Sequence, residues 1–168
     1  MANLQAAVRA FATDGRGPAE LCERINTVMC SNVASGKFIT LFYCVLDSTK
    51  RQLTYSNAGH NPPILLRGED VFRLEEGGAL LGVFPDWKYE QRSIELQAGD
   101  RILLFTDGLS EAEDIGGKEF GEERLVEVFR QVRELQAIEI QTRVLETVRS
   151  FCRGNFRDDA TLLVITVA

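Results

Sequence analysis

Two acidic segments, far apart in the chain, each adjoin an apolar run. In RILLFTDGLSE (residues 101–111) the run ends at Asp107-Gly108, and in RDDATLLVITV (residues 157–167) Asp158 and Asp159 stand just ahead of one. A carboxylate at the end of a buried strand is held rigidly and meets solvent on one side, which suits a hard cation. Two such edges brought together would make a divalent-cation site. Each segment also has a plainer reading. Asp107-Gly108 matches a strand-ending turn, and either Asp158 or Asp159 could cap backbone N–H groups on entry to the last strand. Adjacent carboxylates repel unless a cation or an arginine stands by; Arg157 or a metal ion could take that place. Gly108 lets the backbone come close to a ligand.

Other chemistry-bearing residues carry less. His60 lies in Asn57-Ala58-Gly59-His60-Asn61-Pro62-Pro63. A lone histidine there reads first as a hydrogen-bonded loop residue, and second as a residue fixing the site or touching substrate. The stretch Gly77–Gly82 has no Lys-Ser/Thr ending, so it reads as a packed, buried loop rather than a phosphate cradle. Cys22, Cys30, Cys44 and Cys152 have no CxxC spacing, so buried reduced thiols are expected rather than a zinc site.

The elements that must position these groups follow from periodicity. Leu4, Ala7, Val8 and Phe11 share a helical face, and the chain breaks at Asp14-Gly15-Arg16-Gly17. Pro18 suits the first turn of a second helix, lined by Leu21, Ile25, Val28 and Met29 and ended by Ser35-Gly36. Residues 38–47 and 51–59 read as a hairpin turning at Asp47-Ser48-Thr49-Lys50, and 64–68 with 71–75 as a second hairpin. Residues 89–96 and 101–106 read as a strand pair joined at Ala98-Gly99-Asp100. Helices are expected over 120–132 and 137–151, with Leu125, Val128, Phe129, Ile140, Val144 and Val148 facing inward. A strand over 160–167 closes the chain. Strands in the middle and helices at both ends predict an α+β class with mainly antiparallel pairing in one domain, residues 1–168.

Composition narrows the function classes. The net charge of −6 and the lack of a basic run argue against nucleic acid. No apolar run is long enough to cross a bilayer, and residues 1–17 lack the apolar core of a secretory signal. The expectation is a cytoplasmic protein with no nucleic-acid or membrane partner.

In order, NAGHNPP, GGALLGVF, AGDRILLFTDGLSEA, FGEERL and RDDATLLVI resemble the SpoIIE-type branch of the PPM metal-dependent serine/threonine protein phosphatases. The resemblance runs over residues 4–167, and NAGHNPP favours the bacterial branch over the eukaryotic one. It implies an antiparallel β-sandwich flanked by helices, with carboxylates at one end holding two Mn2+ or Mg2+ ions. It implies hydrolysis of phosphoserine or phosphothreonine on a signalling partner by a metal-bound hydroxide. Carried over by position, Asp107 and Asp158 would be metal ligands. Asp159 and Gly108 would support them, as would Asn57 and His60. The phosphoprotein substrate would often be an anti-sigma-factor antagonist, and an attached sensor or receiver domain would exert control.

The family also has two acidic segments upstream of its first helix, a Gly-Asp and a Gly-Asp-Val-x-Gly-His-Gly, and neither has a counterpart here. The expectation is an N-terminally incomplete domain that lacks the first strands and part of the metal site and is weakly active or inactive alone. Uncovered sheet edges would favour a homodimer. The competing expectations are a non-catalytic interaction module (a pseudophosphatase) and an α+β ligand-binding domain with one structural cation site.

Overall fold

The structure is a computed structural model describing residues 2–32 and 37–168. Its helices are α1 (Ala2–Phe11), α2 (Pro18–Asn32), α3 (Asp107–Ser110), α4 (Glu122–Gln131) and α5 (Ala137–Phe151), with a 3-10 turn at Ala12–Asp14. Its strands are β1 (Leu41–Asp47), β2 (Gln52–Ala58), β3 (Ile64–Arg67), β4 (Asp70–Arg73), β5 (Gly77–Gly78), β6 (Arg92–Glu95), β7 (Arg101–Phe105) and β8 (Leu162–Thr166). The class is α+β with mainly antiparallel sheets, as expected. Contacts gather into two compact units, Met1–Pro62 with Leu74–Leu96, and Pro63–Arg73 with Gln97–Ala168.

In the first unit α1 and α2 pack together, and α2 lies on β1 and β2. Gly15 takes a left-handed φ of 67° between the helices, a conformation that glycine adopts without steric penalty. Pro18 opens α2, where its missing N–H leaves no bond unmade. Leu21, Cys22, Ile25 and Met29 are buried, with Leu4, Val8 and Phe11 of α1 packed against them. Ser35-Gly36, expected to end α2, lies outside the described residues. β1 and β2 pair antiparallel. At their turn Asp47 Oδ1 accepts the N–H groups of Thr49 and Lys50, each at 3.0 Å, so the expected hairpin turn is present and is closed by the Asp47 side chain.

The glycine-rich stretch is partly a strand. Gly77 and Gly78 pair in parallel with Asn57 and Ala58, and Leu81 bridges Ile39. A methyl group on Gly77 would stand 2.0 Å from the Asn57 carbonyl oxygen, so this pairing requires glycine.

The second unit is a sheet of order β4-β3-β7-β8, antiparallel throughout. α5 packs on β8, and α4 on α5. Leu125 and Phe129 recur at i,i+4, as do Ile140, Val144 and Val148. That spacing turns one stripe of each helix inward, where they join Ile64, Leu66, Leu103 and Phe105 of the sheet in one core. Full burial of each large side chain contributes roughly 1.5–3 kcal/mol.

One expected pairing is corrected. The strands around Ala98-Gly99-Asp100 do not pair with each other: β6 pairs with β2, while β7 pairs with β3 and β8. Asp100 explains the redirection. Its buried carboxylate accepts the Gln97 N–H at 2.9 Å and two bonds from Arg67. Gly99 N–H and Val167 N–H then tie the corner to the last strand, donating to Val167 O at 2.9 Å and Asp100 O at 3.0 Å. The corner is anchored to the β3–β7–β8 sheet and does not fold back as a hairpin.

Candidate functional site

The register of β7 and β8 brings the two acidic segments together. Phe105 opposes Leu162, and one step further the Thr106 N–H donates to Thr161 O at 3.0 Å. Continuing outward, Asp107-Gly108 meets Asp158-Asp159. A methyl group on Gly108 would stand 2.6 Å from the Asp159 carbonyl oxygen and 3.0 Å from that of Asp158. Gly108 therefore permits backbone contact between the segments.

Asp107 does not end in the simple Asp-Gly turn that was the plainer expectation. It opens the single helical turn α3, whose Glu111 N–H returns to Asp107 O at 2.8 Å. Buried Leu109 and Ala112 anchor this turn in the core, while Asp107 itself is exposed. Its Oδ1 accepts the Gly108 N–H at 2.9 Å. Across from it, Asp158 Oδ1 accepts the Asp159 N–H at 2.7 Å. Each aspartate thus fixes one oxygen on the next residue's backbone, which restricts its rotamer and presents the carboxylate to solvent.

Arg157 does not neutralise its aspartate neighbours by a direct bond; its guanidinium pairs with Glu113, downstream of α3. Asp114 follows. The N–H groups of Lys118 and Gly116 bond its Oδ1 and hold the carboxyl below the usual range.

Asn57 and His60 belong to the first unit. Asn57 is buried. Its amide donates to His60 O at 2.9 Å, and its Oδ1 accepts the His60 N–H at 2.8 Å. His60 Nδ1 lies 3.1 Å from Asn61 O. With Nδ1 as the donor there, Nε2 is left as the ring's acceptor nitrogen. Asn57 acts as a clamp on the histidine loop.

The donor type suits a hard divalent cation: exposed carboxylates just past the ends of β7 and β8, with carbonyl oxygens beside them. Among the described residues no group of three or more His, Cys, Asp or Glu side chains comes together as a metal cluster. Two residues with no role assigned from sequence also belong to this arrangement. Thr106 bonds across to the second segment, and its signal was its place between an apolar strand and Asp-Gly. Glu113 gave no signal, since it sits in an ordinary acidic stretch.

Comparison with known proteins bears on the family and the fold. The pattern of the family described as Stage II sporulation protein E (SpoIIE) matches residues 1–168. Phosphoserine phosphatase RsbU of Bacillus subtilis is 34% identical over 119 residues, covering 70% of this chain and 36% of that protein. The SiaA-PP2C domain of Pseudomonas aeruginosa superposes with a TM-score of 0.83 at 24% identity, over 99% of this chain and 67% of that one. The phosphatase domain of the cell fate determinant SpoIIE from Bacillus subtilis, solved after presoaking with Mn, gives a TM-score of 0.63 at 21% identity, over 98% and 71%. This chain spans 36% and 26% of the lengths of the first two curated relatives. A family pattern that covers the whole sequence places the chain in the SpoIIE family, and its fold is shared with PP2C-type domains.

Proposed function

We propose that this chain is the phosphatase domain of a bacterial signalling protein and that it hydrolyses phosphoserine or phosphothreonine on a protein partner. The observation that carries the reading is the contact of Asp107-Gly108 with Asp158-Asp159 at the end of the β7–β8 ladder. Asp107 and Asp158 would hold Mn2+ or Mg2+, with Asp159 beside them. When bound, such ions neutralise phosphate charge and activate water. The protein's own part is positional. The β7–β8 ladder brings the two segments to one end of the sheet, and Gly108 admits the second segment. An anti-sigma-factor antagonist is the partner class we infer, with control by an attached sensor or receiver domain.

The test is phosphate release from a phosphoserine protein or peptide, with Mn2+ titration calorimetry alongside. It is run on this chain and on a form extended by any upstream sequence its gene encodes. Mn2+-dependent release that disappears in Asp107→Asn supports the reading. Mn2+ binding without release in either form would overturn it in favour of a binding module.

A further inference from the structure

We propose that Thr106 is a positioning residue whose hydroxyl sets the spacing of the two aspartate-bearing segments; this rests on the reading of Asp107 and Asp158 as cation ligands. Thr106 Oγ1 donates to the Asp159 carbonyl at 2.7 Å and accepts the Thr161 N–H at 2.9 Å. A hydroxyl has one proton to give. Asp159 takes it, and the Thr161 carbonyl lies further off at 3.5 Å.

Location gives this bond its effect. The main-chain ladder still operates at Thr106, whose N–H bonds Thr161 O at 3.0 Å. β8 begins only at Leu162, so Asp158 and Asp159 lie beyond the reach of strand pairing. The hydroxyl extends the fastening two residues past Thr161, to the residue next to Asp158. On the other side of Asp158, Arg157 is held by Glu113. Asp158 is therefore bracketed, with Asp159 tied to Thr106 just ahead of Asp107 and Arg157 tied to Glu113 just past α3. A cation site tolerates little freedom in its ligands, and groups that orient ligands influence affinity strongly although they touch no metal. Threonine suits the post, because branching at Cβ restricts χ1 and keeps the hydroxyl aimed.

The experiment measures Mn2+ affinity by calorimetry and thermal melting without metal. It compares the wild-type chain with Thr106→Val, Thr106→Ser, Asp107→Asn and the core variant Val144→Ala, whose side chain lies on α5. The expected result is a rise in Kd of roughly 10–100-fold for Thr106→Val, near wild-type affinity for Thr106→Ser, and an unmoved Kd for Val144→Ala despite its lower Tm. If Thr106→Val does not fold, Thr106→Ala against Thr106→Ser reads the hydroxyl instead. Wild-type affinity in Thr106→Val, or equal loss in the valine and serine variants, overturns the proposal. So does an equal shift in Val144→Ala, which would mean general loosening. An Asp107→Asn variant that binds Mn2+ as well as wild type would instead sink the cation-site reading itself.

Discussion

Arg67 grips Asp100 through two parallel bonds, Nε to Oδ1 at 2.9 Å and Nη2 to Oδ2 at 2.7 Å, with the carboxylate wholly buried. The Gln97 N–H supplies a third bond. Such a pair matters most when one partner is removed, because the other charge is then left without compensation. The arginine side chain keeps 30% exposure, which places the cost toward the low end. Arg67→Leu should destabilise the protein by about 3 kcal/mol, read as a lower urea midpoint at unchanged slope. Arg67→Lys should recover only part, since a point charge cannot make both bonds.

Asp107 and Asp158 should show opposite signs with and without metal. Asp158 adjoins Asp159, and their backbone lies against Gly108, the residue after Asp107, so the metal-free protein holds adjacent like charges at this end of the sheet. Neutralising one by Asp158→Asn should leave the metal-free Tm unchanged or slightly raised, within about 0.5 kcal/mol. The same change should remove the stabilisation that Mn2+ gives the wild type. Melting curves over a range of Mn2+ concentrations check both halves, and equal Mn2+ stabilisation in variant and wild type would count against Asp158 as a ligand.

Gly77→Ala should be among the most damaging single-methyl changes in the chain. The new methyl group would stand 2.0 Å from Asn57 O and 2.3 Å from Asn57 N, both main-chain atoms of β2. The strands must part, at a cost of about 1–3 kcal/mol or more. Asn57 also clamps the His60 loop. Faster amide exchange at His60 in the variant would follow, and exchange as slow as wild type would refute the link.

Cys22 should stay unreactive in the folded state. Burial pushes its thiol up to about 11 from 9.0. The fold favours the protonated form, so its contribution to stability is complete below pH 9 and fades as pH rises toward 11. Iodoacetamide at pH 8 should spare Cys22 until the protein is unfolded. Stability of Cys22→Ala should fall less steeply than wild type between those two pH values, and matching slopes in the two proteins would contradict this account.

The elements were legible where one signal dominated. α5 has the expected bounds, Ala137–Phe151, because its i,i+4 apolar stripe is long and uninterrupted. The Asp47 turn and the Pro18 helix start were equally plain, since each depends on local chemistry. Partners across the sheets were harder to read. Ala98-Gly99-Asp100 looks like a hairpin corner until the distant Arg67 is known to hold Asp100. The aspartate segments were recognisable as candidates from their strand-end positions, and the contact between them depends on the Phe105–Leu162 register, a long-range property. Thr106 and Glu113 escaped because their roles lie in contacts made across that same gap.

The alternation of segments between the two units has a consequence for how the chain acquires its shape. The path enters the second unit at Pro63, leaves after Arg73 and returns at Gln97. The β3–β4 hairpin must therefore wait for β7, made later in the chain, before it has its sheet neighbour. No single cut yields either unit whole, and when residue 100 has left the ribosome neither of the two strands that carry the aspartate pair has emerged. Assembly is thus a late, long-range event with a slow-folding topology, and the contact between the two aspartate segments forms only once β8 emerges.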